Sequence, residues 1–165
     1  MNSAAGRHAD AAARVHAALV AAGLDGGIVH FDRSTKTAAL AAEAIGCELG
    51  QIAKSLVFVV DGRTVLALVA GDRRGDLGAI AAAVGGSSAR LADAETVRAS
   101  TGYEVGGVSP FDLPCDLTVL VDESLGRYDT VYPAAGTASS VVRMSLADLL
   151  SVTGGTVAPI GAVQP

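Results

Sequence analysis

A chain of 165 residues, half of them hydrophobic, is long enough to bury a core without disulfides or metal and too short for a multidomain machine. Only 4% are aromatic and Trp is absent, so that core must be built mostly from Ala, Val and Leu. The formal net charge of −5 excludes wholesale gripping of a nucleic-acid backbone, which depends on Lys and Arg releasing phosphate counterions; any such contact must be small and local.

Residues 9–22 predict an Ala-rich surface helix closed by Gly23. A secretory leader is the poorer reading, because His16 interrupts the apolar stretch and Asp10 precedes it. A short extended piece follows at 27–31, then a helix over 34–45, opened by hydroxyl residues and stopped by Gly46. A helical turn over 48–53 leads into two β-rich runs, 55–60 and 64–70, around Asp61-Gly62, the dipeptide of a tight hairpin turn. Both arms are almost continuously apolar, as expected of strands covered on both faces.

Residues 71–75 read as a polar loop, and Asp76 and Asp93 as caps of helices over 77–84 and 94–100. The glycines and proline of 102–111 make regular structure there improbable. Strands are expected at 117–121, 130–134 and 139–144, and Ser145 with Asp148 opens a last helix over 146–152. The glycines and prolines of the uncharged run 149–165 bar it from being a membrane helix. Hairpins mixed with single helices point to an α+β single domain over 1–165, with a mixed, largely antiparallel central sheet flanked by helices. A cytoplasmic protein is expected, with neither a membrane nor DNA as partner.

Generic chemistry motifs mostly fail. There is no GxxxxGK[ST]; His8, His16 and His30 lack metal-ligand spacing; and Cys47 and Cys115 belong to no CxxC or Cys/His cluster, so both read as small hydrophobes and no metal or other cofactor is indicated. Ser109, in Gly107-Val108-Ser109-Pro110, lacks the second glycine of a nucleophile elbow and has no histidine after it.

Two features remain. The chain has ten Arg but only two Lys, and while Lys36 falls in the start of a helix without a role, Lys54 sits between a helical turn and a buried strand. From there a flexible point charge can reach a phosphate or simply solvent. The Gly106–Pro110 loop can either bring backbone N–H groups to a ligand or merely join a helix to a strand.

Taken in order, the run Gln51-Ile52-Ala53-Lys54-Ser55-Leu56-Val57-Phe58, the Asp61-Gly62 hairpin, Gly71-Asp72, Arg90-Leu91-Ala92 and Thr101-Gly102-Tyr103 resemble the YbaK/EbsC family. Gly106-Gly107-Val108-Ser109-Pro110-Phe111, Val121-Asp122-Glu123 and Ala135-Gly136 extend the likeness, which spans about residues 30–152 and leaves 1–26 as an N-terminal helix. That family comprises free-standing aminoacyl-tRNA deacylases related to the editing insertion of prolyl-tRNA synthetase.

The resemblance implies a curved central sheet and hydrolysis of the ester joining a wrong amino acid to the 3′ CCA end of tRNA, most often tRNA for proline. It places the functional lysine at Lys54 and the family's GxxxP loop at Gly106–Pro110. The expected catalytic set is therefore Lys54 with the backbone of Gly106, Gly107 and Val108. Phe31, Ser55, Gly71, Asp72, Ser109, Pro110, Ala135 and Gly136 are the expected substrate-binding positions, and Arg73, Arg74 and Arg143 the expected tRNA contacts.

The chain departs from the Cys-tRNA-clearing branch at Ser55, Ala134 and Val141, so alanine and serine on tRNA for proline are expected at least as readily as cysteine, with threonine-type substrates open. A synthetase or an elongation factor is an expected partner. A non-catalytic aminoacyl-tRNA or adenylate binder and a regulatory interaction module are the competing readings.

Overall fold

The computed structural model describes residues 4–113 and 117–164, with side chains from residue 10 onward. In chain order these form α1 (Ala4–Ala21), β1 (Ile28–His30), α2 (Ala38–Ile45), β2 (Ile52–Val60), β3 (Arg63–Ala70), β4 (Arg73–Gly75), α3 (Leu77–Ala83) and β5 (Ala89–Leu91). There follow α4 (Ala94–Thr101), β6 (Thr118–Asp122), β7 (Thr130–Pro133), β8 (Ser140–Val142), β9 (Met144–Ser145), α5 (Leu146–Thr153), β10 (Thr156–Ala158) and β11 (Gly161–Val163).

The β2–β3 hairpin organises the domain. Asp61 and Gly62 take φ of 48° and 82°, the left-handed pair a two-residue turn requires, and the arms stay in register from Val60↔Arg63 to Ala53↔Ala70. β6 lies parallel to β3 and β10 parallel to β6; β7 runs parallel to the start of β2, with β9 antiparallel beyond it, and β5 pairs antiparallel with the end of β2. Two small antiparallel sheets, β1–β8 and β4–β11, complete a curved, mixed α+β architecture, as expected.

Both faces of the hairpin are covered. Leu66, Leu68 and Ala70 pack with Val15 and Leu19 of α1, Val97 of α4 and Leu149 of α5, while Val65, Ala67 and Val69 pack with Ile80 of α3 and Ile160. Aspartates cap α3 and α4: Asp76 accepts from the N–H of Ala79 and Asp93 from that of Thr96. Among the described residues no helix is long and apolar enough to cross a membrane.

Several boundaries differ from expectation. α2 begins at Ala38, not at 34, because Thr37 is the hydroxyl that accepts from Leu40 N–H; Thr35 instead bonds Ala138 O, and so belongs to the turn before β8. The helical turn is confined to Leu49–Gln51, so Ile52 already starts the strand and Lys54 lies inside β2 rather than ahead of it. Residues 73–75 are not a free loop but a strand, paired with β11. The expected strand over 139–144 is interrupted at Arg143 into β8 and β9. β5, β10, β11 and the 3₁₀ turn Glu123–Arg127 carry too few residues to show a period in sequence. Of the two cysteines, Cys47 packs half-buried, its thiol pushed up by burial, and Cys115 lies outside the described residues.

Candidate functional site

Lys54 opens onto a cavity of about 490 Å³ between β2, the α2 start, α4 and the 102–111 loop. Its ammonium donates to the carbonyl of Arg73. Burial pushes its pKa below the usual lysine range, while nearby Asp72 pulls the other way. Asp72 is itself held by Arg127 through two bonds of 2.9 and 2.7 Å, and that pairing lowers its carboxyl pKa. The Arg73 guanidinium lies 3.9 Å from the same carboxylate. Asp72 therefore stands behind the lysine, outside the cavity.

The 102–111 loop forms the facing wall, with Gly106 and Val108 on the cavity. Gly106 has φ of 94°, and a Cβ there would come 2.9 Å from Cγ of Lys36, so only glycine lets the lysine stem lie across it. The N–H of Gly107 is taken by Glu104 O at 3.0 Å, whereas those of Gly106 and Val108 bond no other described residue. The three-residue N–H set expected from sequence thus narrows to two.

Below the loop, Tyr103 donates to Phe111 O at 2.5 Å, and Ser109 Oγ, fully buried, accepts from Phe111 N–H. Burial raises the Tyr103 pKa to about 12, keeping it a neutral donor. Arg14 of α1 reaches Asp112 at 2.6 Å and stacks on Tyr103, pinning the loop to the N-terminal helix.

Of the expected residues, Lys54, Ser55, Gly71, Gly106 and Val108 line the cavity. Gly107 and Pro110 back the loop, Ala135 is core, and Gly136 packs against the main chain of Ala11. Phe31 does not itself line the cavity but packs behind its wall, in a cluster with Ala41, Ile52 and Val141, which do. Arg74 is exposed on β4, and Arg143 borders a different depression with Asp25 and Asp148, so the structure does not bring either to the cavity.

Sequence reasoning missed Lys36, Thr37, Leu91, Val97 and Gln164 as lining residues and Arg127 as the partner of Asp72. Lys36 had left one trace, its rarity: both lysines of the chain reach the same cavity. Apart from the two lysines the lining is mainly apolar, relieved by Thr35, Thr37, Ser55, Gln164 and the hydrogen-bonded pair Thr137–Ser140. Among the described residues no three His, Cys, Asp or Glu side chains gather as a metal site.

Residues 32–152 match the family described as aminoacyl-tRNA editing domain. The chain belongs to that family. This editing domain is 34% identical over 144 residues to the multifunctional Ser/Thr-tRNA deacylase ProXp-y of Escherichia coli K12, covering 84% of this chain and 86% of that one. It is 39% identical over 123 residues to the uncharacterized protein YwhH of Bacillus subtilis, covering 74% and 78%. A crystal structure of a candidate trans-editing enzyme for prolyl tRNA synthetase superimposes with a TM-score of 0.86 at 41% identity, over 92% of this editing domain and 97% of that chain. The YbaK/EbsC likeness of its motifs is thereby established, and with it a family acting on aminoacyl-tRNA.

Proposed function

We propose that this editing domain is a trans-acting hydrolase that clears alanine, serine or cysteine from tRNA for proline. The observation that carries the reading is the two-sided cavity: a half-buried lysine on one wall and, on the other, the main-chain N–H groups of Gly106 and Val108, which bond no other described residue. An aminoacyl ester is already activated, so a protein that positions it and stabilises the developing oxyanion supplies most of what hydrolysis needs.

In this mechanism Lys54 leaves the Arg73 carbonyl for the phosphate or ribose of the terminal adenosine. The N–H groups of Gly106 and Val108 polarise the ester carbonyl. Water, or the substrate's own hydroxyl or side chain, attacks the carbonyl carbon. The C–O bond to the ribose then breaks, and the ribose oxygen takes up a proton as the 3′ end is freed.

The small apolar lining with a few hydroxyls suits Ala, Ser and Cys. A relative named as a Ser/Thr-tRNA deacylase supports hydroxylated side chains, and a structural neighbour described with prolyl tRNA synthetase supports tRNA for proline and a synthetase partner. An elongation factor is the other partner we propose, since a chain of net charge −5 grips the single-stranded CCA end through few contacts and needs selectivity from elsewhere.

The decisive experiment incubates the protein with tRNA for proline charged in turn with Ala, Ser, Cys, Thr and Pro and follows ester loss. Accelerated loss from Ala, Ser or Cys with Pro spared is the expected result; no acceleration for any ester would sink the reading.

Lys36 adds a second test. Its side chain is exposed beside Gly106 and has no ion-pair partner among the described residues, so it is placed to meet a phosphate of the incoming strand. Lys36→Ala should raise KM with little change in kcat, and flatten the dependence of log kcat/KM on log salt by about 0.7, one single-strand phosphate contact. An unchanged salt slope would remove Lys36 from the binding surface.

A further inference from the structure

One residue of β2 turns its main-chain groups to an edge that no strand covers. On one side β2 pairs with β3 throughout; on the other it pairs with β7 at Ile52 and Ala53 and with β5 from Phe58 to Val60. Between these, residues 54–57 face no strand on that side. A two-residue turn makes Val60 and Arg63 a hydrogen-bonded pair, and antiparallel alternation then turns the main-chain groups of Ser55, Val57 and Val59 away from β3. Val57 obeys this, its carbonyl accepting from Ala92 N–H at 2.9 Å.

Ser55 falls in the gap. Its N–H and C=O are directed to the interrupted edge, and the residue lines the cavity. Its Oγ is also the buried side-chain polar atom that, among the described residues, has no hydrogen-bond partner. Buried polar groups are almost always paired, so a residue with several such groups at the edge of a cavity calls for a ligand offering both donors and acceptors.

We propose that Ser55 is the docking point for the α-amino group of the aminoacyl ester, its main-chain carbonyl accepting from the ammonium. Resting on the deacylase reading, this deepens it: the protein acts on esters of free amino acids and spares N-acylated ones, including peptidyl esters on the same tRNA end. The cavity lining supports the assignment, because it contains two lysines and no carboxylate. A substrate ammonium is repelled by both cations and has no anionic partner there; of the neutral acceptors, the hydroxyls of Thr35, Thr37, Thr137 and Ser140 are already engaged and Gln164 is exposed, whereas Ser55 offers a carbonyl on the uncovered strand edge. The ester end is then left to the N–H groups of the facing loop.

The test uses tRNA for proline acylated with alanyl, lactyl, propionyl or N-acetylalanyl groups. Each enzymatic rate is divided by the spontaneous rate of the same ester, because loss of the ammonium also slows uncatalysed hydrolysis. The enhancement for alanyl should exceed that for propionyl and N-acetylalanyl by about 10- to 150-fold, the loss of one charge-assisted hydrogen bond. Lactyl, which keeps a donor without the charge, should fall between. Equal enhancements overturn the proposal and leave the deacylase reading standing.

A binding measurement covers the remaining outcomes. CCA oligonucleotides ending in a stable 3′-amide of alanine or propionate are titrated into the protein, and alanyl should bind at least about tenfold tighter. That preference without turnover of any ester supports the amino-group site and overturns the deacylase reading. Equal affinity, or no binding of either amide, overturns the amino-group site.

Discussion

Lys54→Met is expected to lower deacylation of a mischarged tRNA by about 10- to 150-fold, the worth of a hydrogen bond to a charged group lost from the transition state. It should do so without unfolding the protein. The ammonium is half-buried, its pKa is depressed by that burial, and Asp72 already has Arg127 as its partner. Replacing a desolvated charge with an apolar chain of similar length is commonly neutral or stabilising, so Tm should stay within a few degrees of the parent or rise.

The pH dependence follows from the same burial. A lysine whose pKa is lower in the folded than in the unfolded state costs stability while it remains charged, and that cost fades as pH rises through the folded pKa toward the unfolded one. Any gain in Tm from Lys54→Met should therefore be largest at neutral pH and shrink in alkali. Activity has the opposite requirement: the rate attributable to Lys54 should decline with rising pH below the range of an ordinary lysine. Parent-like turnover in Lys54→Met would remove the lysine from the mechanism, and melting curves on the same samples would separate that from misfolding.

Gly107→Ala should damage both fold and function. The added Cβ would lie 2.7 and 2.8 Å from the carbonyl carbon and Cα of Thr137 and 3.0 Å from the nitrogen of Ala138, all main-chain atoms that cannot swing aside. The loop carrying Gly106 and Val108 would have to back away from the turn before β8. Overpacking of this kind costs about 1–3 kcal/mol, or roughly 2–12 °C in Tm for a domain of this size. A displacement of about 1 Å at the N–H groups proposed to hold the oxyanion should cost on the order of 100-fold in rate. Gly126→Ala is the control, since nothing lies within 4 Å of a Cβ there, and both readouts should hold. An unchanged rate and Tm in Gly107→Ala would mean that the loop is not held against residues 137 and 138 as the structure has it.

What could be read in advance was local. Asp61-Gly62 forces a hairpin because its two positions take positive φ, and Asp76, Asp93 and Ser145 each satisfy an N–H within their own first helical turn. Residues 73–75 looked like a loop because Arg-Arg-Gly has no strand pattern of its own; only the return of the chain at 161–163 gives it a partner. Arg143 falls at the break between β8 and β9, beside another depression than the one Lys54 faces, a placement that sequence order does not show. Phe31, expected at the substrate, stands one layer behind the cavity, packed on the lining residue Ala41.

The shortage of lysine in the sequence has a structural counterpart, since both lysines of the chain reach one cavity. Sequence alone determined that this is an acidic, aromatic-poor domain, fixed its central hairpin and its helix caps, and marked Lys54 and the Gly106–Pro110 loop, because those features depend on residue type or on neighbours a few positions away. Tertiary structure decided that Lys36 shares the cavity with Lys54, that the N–H of Gly107 is already taken by Glu104, and that β2 is left unpaired beside Ser55. Each of these depends on where the chain bends and which strands stop short of one another, and side-chain identity alone does not encode that.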